Sequence, residues 1–201
     1  TALLGSSSLN SFANCAASVL FGAKTNVGRC KRSINQDPRH ALGKATVVCT
    51  AEFKVPSVVV TGLNLHIGAI RTSDAETFDM HLNSHSRLNY IRALLEAIDQ
   101  GADEAVLLDP HGMIASCNAT NLFWVKDGTV FTSRDEFCFN GITRSNVIAL
   151  CRDGAAPLLQ GDWLPDHLLA ADEVFVTGTM GGITAVGSIN GHALRSAPGP
   201  V

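Results

Sequence analysis

Apolar residues recur at regular spacings along the chain, and these spacings predict short strands and a few helices. Residues 88, 91, 95 and 98 are apolar at helical spacing, and Gly101 follows them where a helix commonly ends. Two further helices are predicted over residues 144–151, with Thr143 as a possible N-cap, and over residues 165–170. Strands are predicted over residues 45–53, 62–71, 104–108, 113–117, 121–126, 129–132, 173–177 and 184–189.

Turn residues separate these elements and indicate hairpins. Asp109-Pro110-His111-Gly112 and Asn190-Gly191 each follow a predicted strand. Asp127-Gly128 is the clearest hairpin signal, because both residue types tolerate positive φ between two strands. Antiparallel hairpins interrupted by helices are typical of an α+β fold rather than a doubly wound one.

A proline-containing break suggests two domains. Lys54-Val55-Pro56-Ser57 interrupts the strand pattern, because proline cannot donate to a sheet. We therefore predict a partial small domain over residues 1–54, a linker over residues 55–61 and a larger cofactor-binding domain over residues 62–201. The chain begins without Met and ends at Pro200-Val201, so we expect it to be a fragment.

The composition limits the class of partner. Hydrophobic residues make up 46% of the 201 positions and charged residues 16%, which suits a globular protein with a sizeable core. A net charge of -3 argues against a nucleic-acid partner or a polybasic membrane contact. No apolar run is long enough to predict a transmembrane helix, and the N-terminal residues lack the basic start of a secretory signal.

The cysteines and histidines predict neither a metal site nor a disulfide framework. Their spacings match no metal-binding pair, so we expect reduced, mostly buried thiols in a cytoplasmic protein. The six cysteines are Cys15, Cys30, Cys49, Cys117, Cys138 and Cys151.

Two turns carry residues suited to binding an anion. In Asn140-Gly141-Ile142-Thr143-Arg144, a tight turn opens a helix, whose N-terminal N–H groups attract negative charge. In Thr177-Gly178-Thr179-Met180-Gly181-Gly182, glycines after a strand allow a ligand to approach the backbone. Each turn alone is more often structural, but two hydroxyl-bearing turns could converge on one phosphate.

Three ordered motifs resemble one enzyme family. They are GADEAVLLDPHGMIASCNATNLFWVKDGTVFTS, NGITRSNVIALC and ADEVFVTGTMGGITAV. They are similar to fold-type IV, pyridoxal 5'-phosphate (PLP)-dependent aminotransferases, and most similar to branched-chain amino acid aminotransferase-like members. D-amino acid aminotransferases and aminodeoxychorismate lyases are related families. The resemblance runs from about Gly62 to Val186, whereas residues before about Pro56 do not resemble the family.

The resemblance implies a fold, a cofactor and partners. The fold is D-amino acid aminotransferase-like (class IV), with a small α/β domain, a larger β-barrel-like domain with helices, and PLP between them. The substrates implied are amino acids and 2-oxo acids, and the assembly implied is a homodimer. Ile142, Thr143 and Thr179 match residues that hold the cofactor phosphate. Met180 falls where a backbone N–H helps to receive the substrate carboxylate.

One departure from the family concerns its Schiff-base lysine. Aligning the apolar stripe that begins at Leu88 with the family's helix places the lysine position at Asn83. The amide nitrogen of asparagine has a delocalised lone pair, so it cannot bond covalently to the cofactor's aldehyde. A shift of a few residues gives no primary amine either, since it brings in His85, Ser86 or Arg87. Lysines occur only outside this stretch, at residues 24, 31, 44, 54 and 126, and Lys54 is the one we consider as a substitute.

A second departure concerns the cofactor ring. Ser116 stands where the family usually has a glutamate that faces the pyridine nitrogen. A serine can only form a hydrogen bond there, so the resemblance implies a weaker electron sink.

Three functions therefore stay open from the sequence. The first is PLP-dependent transamination of a branched-chain or similar amino acid. The second is a catalytically impaired homologue that binds PLP or another phosphate ligand without transamination. The third is an aminodeoxychorismate lyase-like enzyme, which would need the same lysine.

Overall fold

The computed structural model describes residues 21–28, 46–53, 61–84 and 87–195. Internal contacts divide the chain into two units, Thr1–Pro56 and Ser57–Val201. The predicted linker, residues 55–61, lies outside the described residues except for Thr61, as do the alternative lysine positions His85 and Ser86. The domain bounds that we predicted, 1–54 and 62–201, stay predictions.

The first unit contains a two-stranded antiparallel sheet. Strand β1 (Phe21–Gly28) pairs with β2 (Thr46–Phe53) in a continuous register, from Phe21 opposite Phe53 to Gly28 opposite Thr46. The pattern of β-branched residues predicted β2, whereas β1 was not predicted.

The second unit, in its described residues, is built on one large mixed sheet with three helices. The strand order over the same residues is β5-β4-β3-β10-β9-β6-β7-β8, and β11 pairs with β10. The α+β prediction is confirmed. The strands are β3 (Leu63–Arg71), β4 (Glu104–Leu108), β5 (Ile114–Cys117), β6 (Asn121–Lys126), β7 (Thr129–Ser133), β8 (Leu158–Gly161), β9 (Glu173–Gly178), β10 (Gly182–Ile189) and β11 (His192–Ala193), and the helices are α1 (Leu88–Asp99), α2 (Ile142–Arg152) and α3 (Pro165–Leu169).

Two of the parallel pairs join strands that a helix connects. Helix α1 lies between the parallel strands β3 and β4, and α2 lies between the parallel strands β7 and β8. Antiparallel hairpins join β4 to β5, β6 to β7, β9 to β10 and β10 to β11. The β6–β7 hairpin turns at Asp127-Gly128, whose φ angles are 50° and 72°. Parallel neighbours need a long crossover, which explains why α1 and α2 stand at these two places.

The alternation of side chains along the strands separates an inner core from two outer ones. On β6, Leu122 and Trp124 belong to the central cluster, whereas Phe123 and Val125 pack with residues of α2. On β4, Val106 faces the central cluster and its neighbours Ala105 and Leu107 pack with α1. The sheet therefore curls around an inner core and carries α1 and α2 on its outer face.

The apolar stripe that predicts α1 is not its buried face. Leu88, Ile91, Leu95 and Ile98 are each more than half exposed. The buried residues of the helix are Tyr90, Ala93 and Ala97. The two alanines let the helix lie close to the sheet. The periodicity therefore predicted the helix correctly but not the side that packs.

Helix α2 begins earlier than predicted. Its first residue is Ile142, its N-cap is Gly141, and no side chain caps it. The prediction that Thr143 caps a helix starting at Arg144 is therefore wrong, because Gly141 already has the extended backbone of an N-cap, with φ -65° and ψ 148°. This leaves the hydroxyl of Thr143 within the first turn.

Candidate functional site

The N-terminus of α2 presents unused N–H groups beside a hydroxyl. Gly141 accepts a hydrogen bond at its carbonyl from the N–H of Ser145 (2.9 Å), which closes the first turn. The N–H groups of Ile142 and Thr143 precede that bond and so have no acceptor inside the helix. Both residues are accessible, since Ile142 is 51% exposed and Thr143 is half-buried. The position suits an anion.

Asn121 ties this turn to the sheet. Its Nδ2 donates to the carbonyl of Phe139 (2.7 Å), and the residue is 7% exposed. A β-carbon at Gly141 would lie 2.6 Å from Asn121 Oδ1, so only glycine lets the turn approach this closely. Asn121 is also directly opposite Thr177 in the β6–β9 pair. Sequence reasoning did not single out Asn121.

The second predicted turn meets the same end of the β6–β9 pair. Thr177 and Gly178 end β9, and Thr179 and Met180 follow in an exposed loop. A β-carbon at Gly178 would lie 3.2 Å from Cγ2 of Thr120. The register between Asn121 and Thr177 therefore brings the two predicted phosphate turns together.

Ser116 is buried and is hydrogen-bonded to Thr120, the residue that precedes Asn121. It is 4% exposed, and its hydroxyl donates to the carbonyl of Thr120 (2.8 Å). Because that proton is used, its oxygen is left to accept a hydrogen bond rather than donate one. Thr120 in turn donates to Glu104 Oε2 (2.6 Å), and burial raises the pKa of the Glu104 carboxyl.

A buried cation lies behind the turn. Arg144 is 2% exposed, and its guanidinium donates to Asn140 Oδ1, the Ser133 carbonyl and Gln160 Oε1. It forms no ion pair with any described residue. A buried guanidinium without a carboxylate leaves net positive charge at the start of α2, which adds to the attraction for an anion.

A second guanidinium approaches from α1. Arg87, the N-cap residue of that helix, has Cζ 5.2 Å from the ring centre of Tyr90 and 5.7 Å from that of Phe139. Phe139 leads directly into α2, so the N-terminal ends of the two helices face one region. Tyr90 is 5% exposed, and burial raises its pKa to about 12.

Several buried polar atoms near this region lack a hydrogen-bond partner among the described residues. Three of them belong to Arg87, Tyr90 and Thr177, and unpaired groups of this kind cost free energy unless a ligand satisfies them. The complete set is Thr72 Oγ1, Arg87 Nε, Tyr90 Oη, Arg144 Nε and Thr177 Oγ1. Sequence reasoning named Thr177 only as part of a turn and did not identify Tyr90.

Asn83 is exposed in the turn before α1, next to Leu82, whose carbonyl accepts a hydrogen bond from Arg87. Its assignment as the lysine position stays a prediction. Of the register alternatives, Arg87 is the one whose side chain the structure describes. Its guanidinium contacts the rings of Tyr90 and Phe139.

Other kinds of site find no support in the described residues. No group of three His, Cys, Asp or Glu side chains there could hold a metal ion. No described helix is long and apolar enough to cross a membrane. Cys117 and Cys138 are free and buried, and burial raises the pKa of both thiols, so they stay protonated near neutral pH.

The chain is similar to known aminotransferases in sequence. The profile of the family described as Amino-transferase class IV matches residues 7–189. A branched-chain-amino-acid aminotransferase from Pseudomonas aeruginosa is 37% identical over 115 residues, which cover 57% of this chain and 38% of that protein. Branched-chain-amino-acid aminotransferase-like protein 2 from Arabidopsis thaliana is 32% identical over 158 residues, covering 78% of this chain and 28% of that protein.

Solved structures agree with the sequence comparison. The T.th. branched-chain amino acid aminotransferase with pyridoxamine 5'-phosphate has a TM-score of 0.82 at 27% identity, covering 90% of this chain and 60% of that one. The chain thus spans less than two thirds of the length of these relatives.

The family match corrects one expectation from the sequence. Residues before about Pro56 were not expected to resemble the family, but the matched region begins at residue 7. Motif reading missed this segment because it has none of the glycine and hydroxyl turns by which the second unit was recognised. With 7–189 matched and a class IV fold in the described residues, this chain belongs to the class IV aminotransferases.

Proposed function

We propose that this protein is a PLP-dependent aminotransferase, which moves an amino group between a branched-chain or similar amino acid and a 2-oxo acid. The class IV family membership and the branched-chain aminotransferases among its relatives support this proposal. The chain spans less than two thirds of the length of those relatives.

The observation that carries the proposal is a set of donors without acceptors around one turn. The free N–H groups of Ile142 and Thr143 follow Phe139, which is hydrogen-bonded to Asn121, and Asn121 is opposite Thr177. Thr177 Oγ1 and Tyr90 Oη are buried without partners among the described residues. Arg144 adds positive charge that no described carboxylate neutralises. Donors with a positive field fit the phosphate and hydroxyl groups of PLP.

Each predicted site residue has a proposed task within this arrangement. Ile142 and Thr143 would bind the phosphate through N–H groups and a hydroxyl, and Thr179 would add a donor from the loop after β9. Ser116 would accept a hydrogen bond from the ring nitrogen, since its own proton goes to Thr120. The N–H of Met180 would receive a substrate carboxylate.

The protein residues would orient the cofactor, and the cofactor would supply the electron sink. When bound, PLP withdraws electrons from the carbon that carries the amino group. Tyr90, with its pKa raised to about 12, keeps its proton and so serves as a donor throughout the neutral range. Ser116 and Asn121, both buried, would help to exclude water from the bound cofactor.

The chain lacks a lysine in the segment where the family's anchoring lysine is expected. Residues 81–91 contain no lysine. Lys126 lies at the far end of β6, about 17 Å along the strand from Asn121. The lysine of such enzymes both attaches the cofactor and carries protons, so we propose turnover several powers of ten below that of a lysine-bearing relative.

Three measurements on the whole chain test this function. Incubation with PLP should give a difference spectrum, and amino-group transfer from leucine, isoleucine or valine to 2-oxoglutarate should be detectable but slow. Borohydride reduction followed by peptide mapping should give no labelled lysine. A labelled peptide that contains Lys54 would contradict slow turnover, and absence of PLP binding would contradict the function itself.

We also propose that the chain forms a homodimer and works in the cytoplasm. The exposed apolar residues of α1 support association, because large exposed apolar areas often mark an interface. The free, buried thiols support a reducing compartment. Cell fractionation with an antibody to the chain tests the compartment.

A further inference from the structure

A histidine joins the short helix α3 to the large sheet. Trp124, on β6, is fully buried, and its Nε1 donates a hydrogen bond to Nδ1 of His167 on α3 (2.8 Å). The ring centres of Phe131 and Trp163 each lie 4.7 Å from that of His167. An indole nitrogen can only donate a hydrogen bond, so Nδ1 must carry a lone pair. The imidazole in this contact is therefore neutral, with its proton on Nε2.

The protonation state of His167 decides whether this contact can form. A second proton on the imidazole would make Nδ1 a donor, and two N–H groups would then face each other. The indole N–H of Trp124 would be left buried without an acceptor, which costs free energy. The contact thus requires the neutral ring.

The groups around His167 act on its charge in two directions. Burial lowers the pKa of His167, and the positive charge of Lys126, at the end of β6, lowers it further. The ring faces of Phe131, on β7, and Trp163, before α3, attract a cation and oppose this in part. Asp166, on α3 itself, is exposed, and no ion pair between described residues includes His167. The neutral form is favoured in the folded chain.

Helix α3 has little else to hold it on the sheet. It consists of five residues, Pro165–Leu169, which is too short for a helix to be stable by itself. Leu168 is its buried residue and belongs to the central core cluster. The hydrogen bond between His167 and Trp124 is therefore a large part of the attachment of α3.

We propose that the contact between His167 and Trp124 is a pH-sensitive switch, which holds α3 on the sheet when the imidazole is neutral and releases the helix when it is protonated. In the switching step, a proton from the solvent bonds to the Nδ1 lone pair and the hydrogen bond from Trp124 breaks. The inference is independent of the proposed function, because it involves no cofactor or substrate.

The direction of the pH dependence follows from the lowered pKa of His167. In the unfolded chain this residue takes up its proton near the ordinary value of 6.5, and in the folded chain it does so at lower pH. The stability that the contact confers is therefore full above pH 6.5 and is lost as the pH falls below it.

Tryptophan fluorescence of the whole chain tests the switch, because the two tryptophans, Trp124 and Trp163, both lie beside His167. From about pH 8 to about pH 4, the emission should shift to longer wavelength as the indole of Trp124 becomes exposed. The midpoint should lie below pH 6.5. Far-UV circular dichroism should stay that of the folded protein over this step. A midpoint at or above pH 6.5, or loss of the circular dichroism at the same midpoint, would overturn the inference.

Two histidine variants show whether His167 is responsible. His167→Asn supplies a side-chain oxygen that can accept from the indole but does not titrate, so its emission should stay constant over the same range. His192→Asn makes the same substitution at an exposed position in β11 and should respond as wild type does. An equal shift in wild type and His167→Asn would overturn the inference.

Urea denaturation measures the same switch as a change in stability. Between about pH 8 and about pH 5, the equilibrium constant for unfolding should rise about fivefold or more in wild type relative to His167→Asn, as for loss of one hydrogen bond. In a Trp124→Phe background, His167→Asn should change the pH dependence much less, because the donor that requires a neutral imidazole is absent. Equal effects of His167→Asn in both backgrounds would contradict the role of Trp124.

Nitrogen NMR of the wild-type chain tests the premise without any variant. Above about pH 7, the imidazole of His167 should carry its proton on Nε2 and leave Nδ1 unprotonated. A proton on Nδ1 in the folded wild-type chain would overturn the inference, whether or not the variants fold.

Discussion

At the scale of single residues, two buried threonines of the same sheet differ in whether their hydroxyls have a hydrogen-bond partner. Thr132 is fully buried, and its Oγ1 donates to the carbonyl of Leu122 (2.7 Å). Thr177 is 1% exposed on a neighbouring part of the same sheet, and its Oγ1 has no partner among the described residues. An unsatisfied buried hydroxyl costs stability, so its retention suggests that it serves a ligand.

Valine substitutions at these two threonines should have opposite effects. Thr177→Val keeps the shape and removes an unpaired hydroxyl, so the free energy of unfolding should stay the same or rise by up to about 1 kcal/mol. Thr132→Val removes a satisfied hydroxyl and should lower it by about 1 kcal/mol. Urea denaturation measures both. A loss of stability in Thr177→Val equal to that in Thr132→Val would show that the Thr177 hydroxyl is satisfied within the protein.

Tyr90 should make stability depend on pH in the alkaline range. Its pKa is about 12 in the folded chain because the ring is buried, against 10.0 for a free tyrosine. The unfolded chain therefore loses this proton first, and the stability conferred by Tyr90 is full below pH 10 and is lost as the pH rises toward 12. The decline due to this group should reach about 2 to 3 kcal/mol.

The spectroscopic test is direct because Tyr90 is the chain's only tyrosine. Tyrosinate absorbance of the folded protein should rise near pH 12, and that of the urea-unfolded protein near pH 10. Tyr90→Phe should show a smaller decline in the free energy of unfolding over the same range. Equal midpoints in folded and unfolded protein would contradict the burial of the hydroxyl.

At the scale of elements, the start of α2 is positioned by the first residue of β6. Asn121 binds the Phe139 carbonyl and leaves room for glycine alone at position 141. The helix N-terminus is thus held by a side chain rather than by a cap of its own. The proposed phosphate site depends on this attachment, because an N–H group must point at its anion to bind it.

A double-mutant cycle between Asn121 and Gly141 tests this attachment. Gly141→Ala should lower stability and PLP affinity, because its β-carbon would lie 2.6 Å from Asn121 Oδ1. Asn121→Ala should cost about 1 to 3 kcal/mol for a lost buried hydrogen bond. In the Asn121→Ala background, Gly141→Ala should cost little, because the colliding oxygen is absent. Additive losses, measured by urea denaturation, would exclude the contact.

The same scale shows where sequence patterns succeed and where they fail. The helical spacing at residues 88–98 predicted α1, but only the structure shows that Tyr90 and the alanines face the sheet. Strand β8 was missed because four residues with little alternation carry no signal of their own, and they form a strand through parallel pairing with β7.

The sequence predicted the candidate site only in part. Glycines and hydroxyls near residues 141–143 and 177–179 mark each turn locally. Their meeting depends on Asn121, which is opposite Thr177 and bound to Phe139. Such contacts between distant parts of the chain leave no periodic pattern in the sequence, and for that reason Tyr90 and Asn121 went unrecognised.

At the scale of the whole molecule, the proposed homodimer gives a mass that can be measured. Leu88, Ile91, Leu95 and Ile98 form an exposed apolar row on α1. Light scattering after gel filtration should give twice the chain mass of 21.2 kDa at micromolar concentration. A mass of one chain across the concentration range would rule out the homodimer.

The pairing of β3 with β10 also determines when the second unit can fold during synthesis. Leu63, near the start of the second unit, is opposite Val186, near the end of the described sheet. A growing chain therefore cannot complete the sheet until β10 has left the ribosome, and folding must wait for this contact. A product that stops before Gly182 would leave β3 and β9 each with an unpaired edge. Prematurely terminated chains should thus aggregate rather than persist as smaller folded proteins.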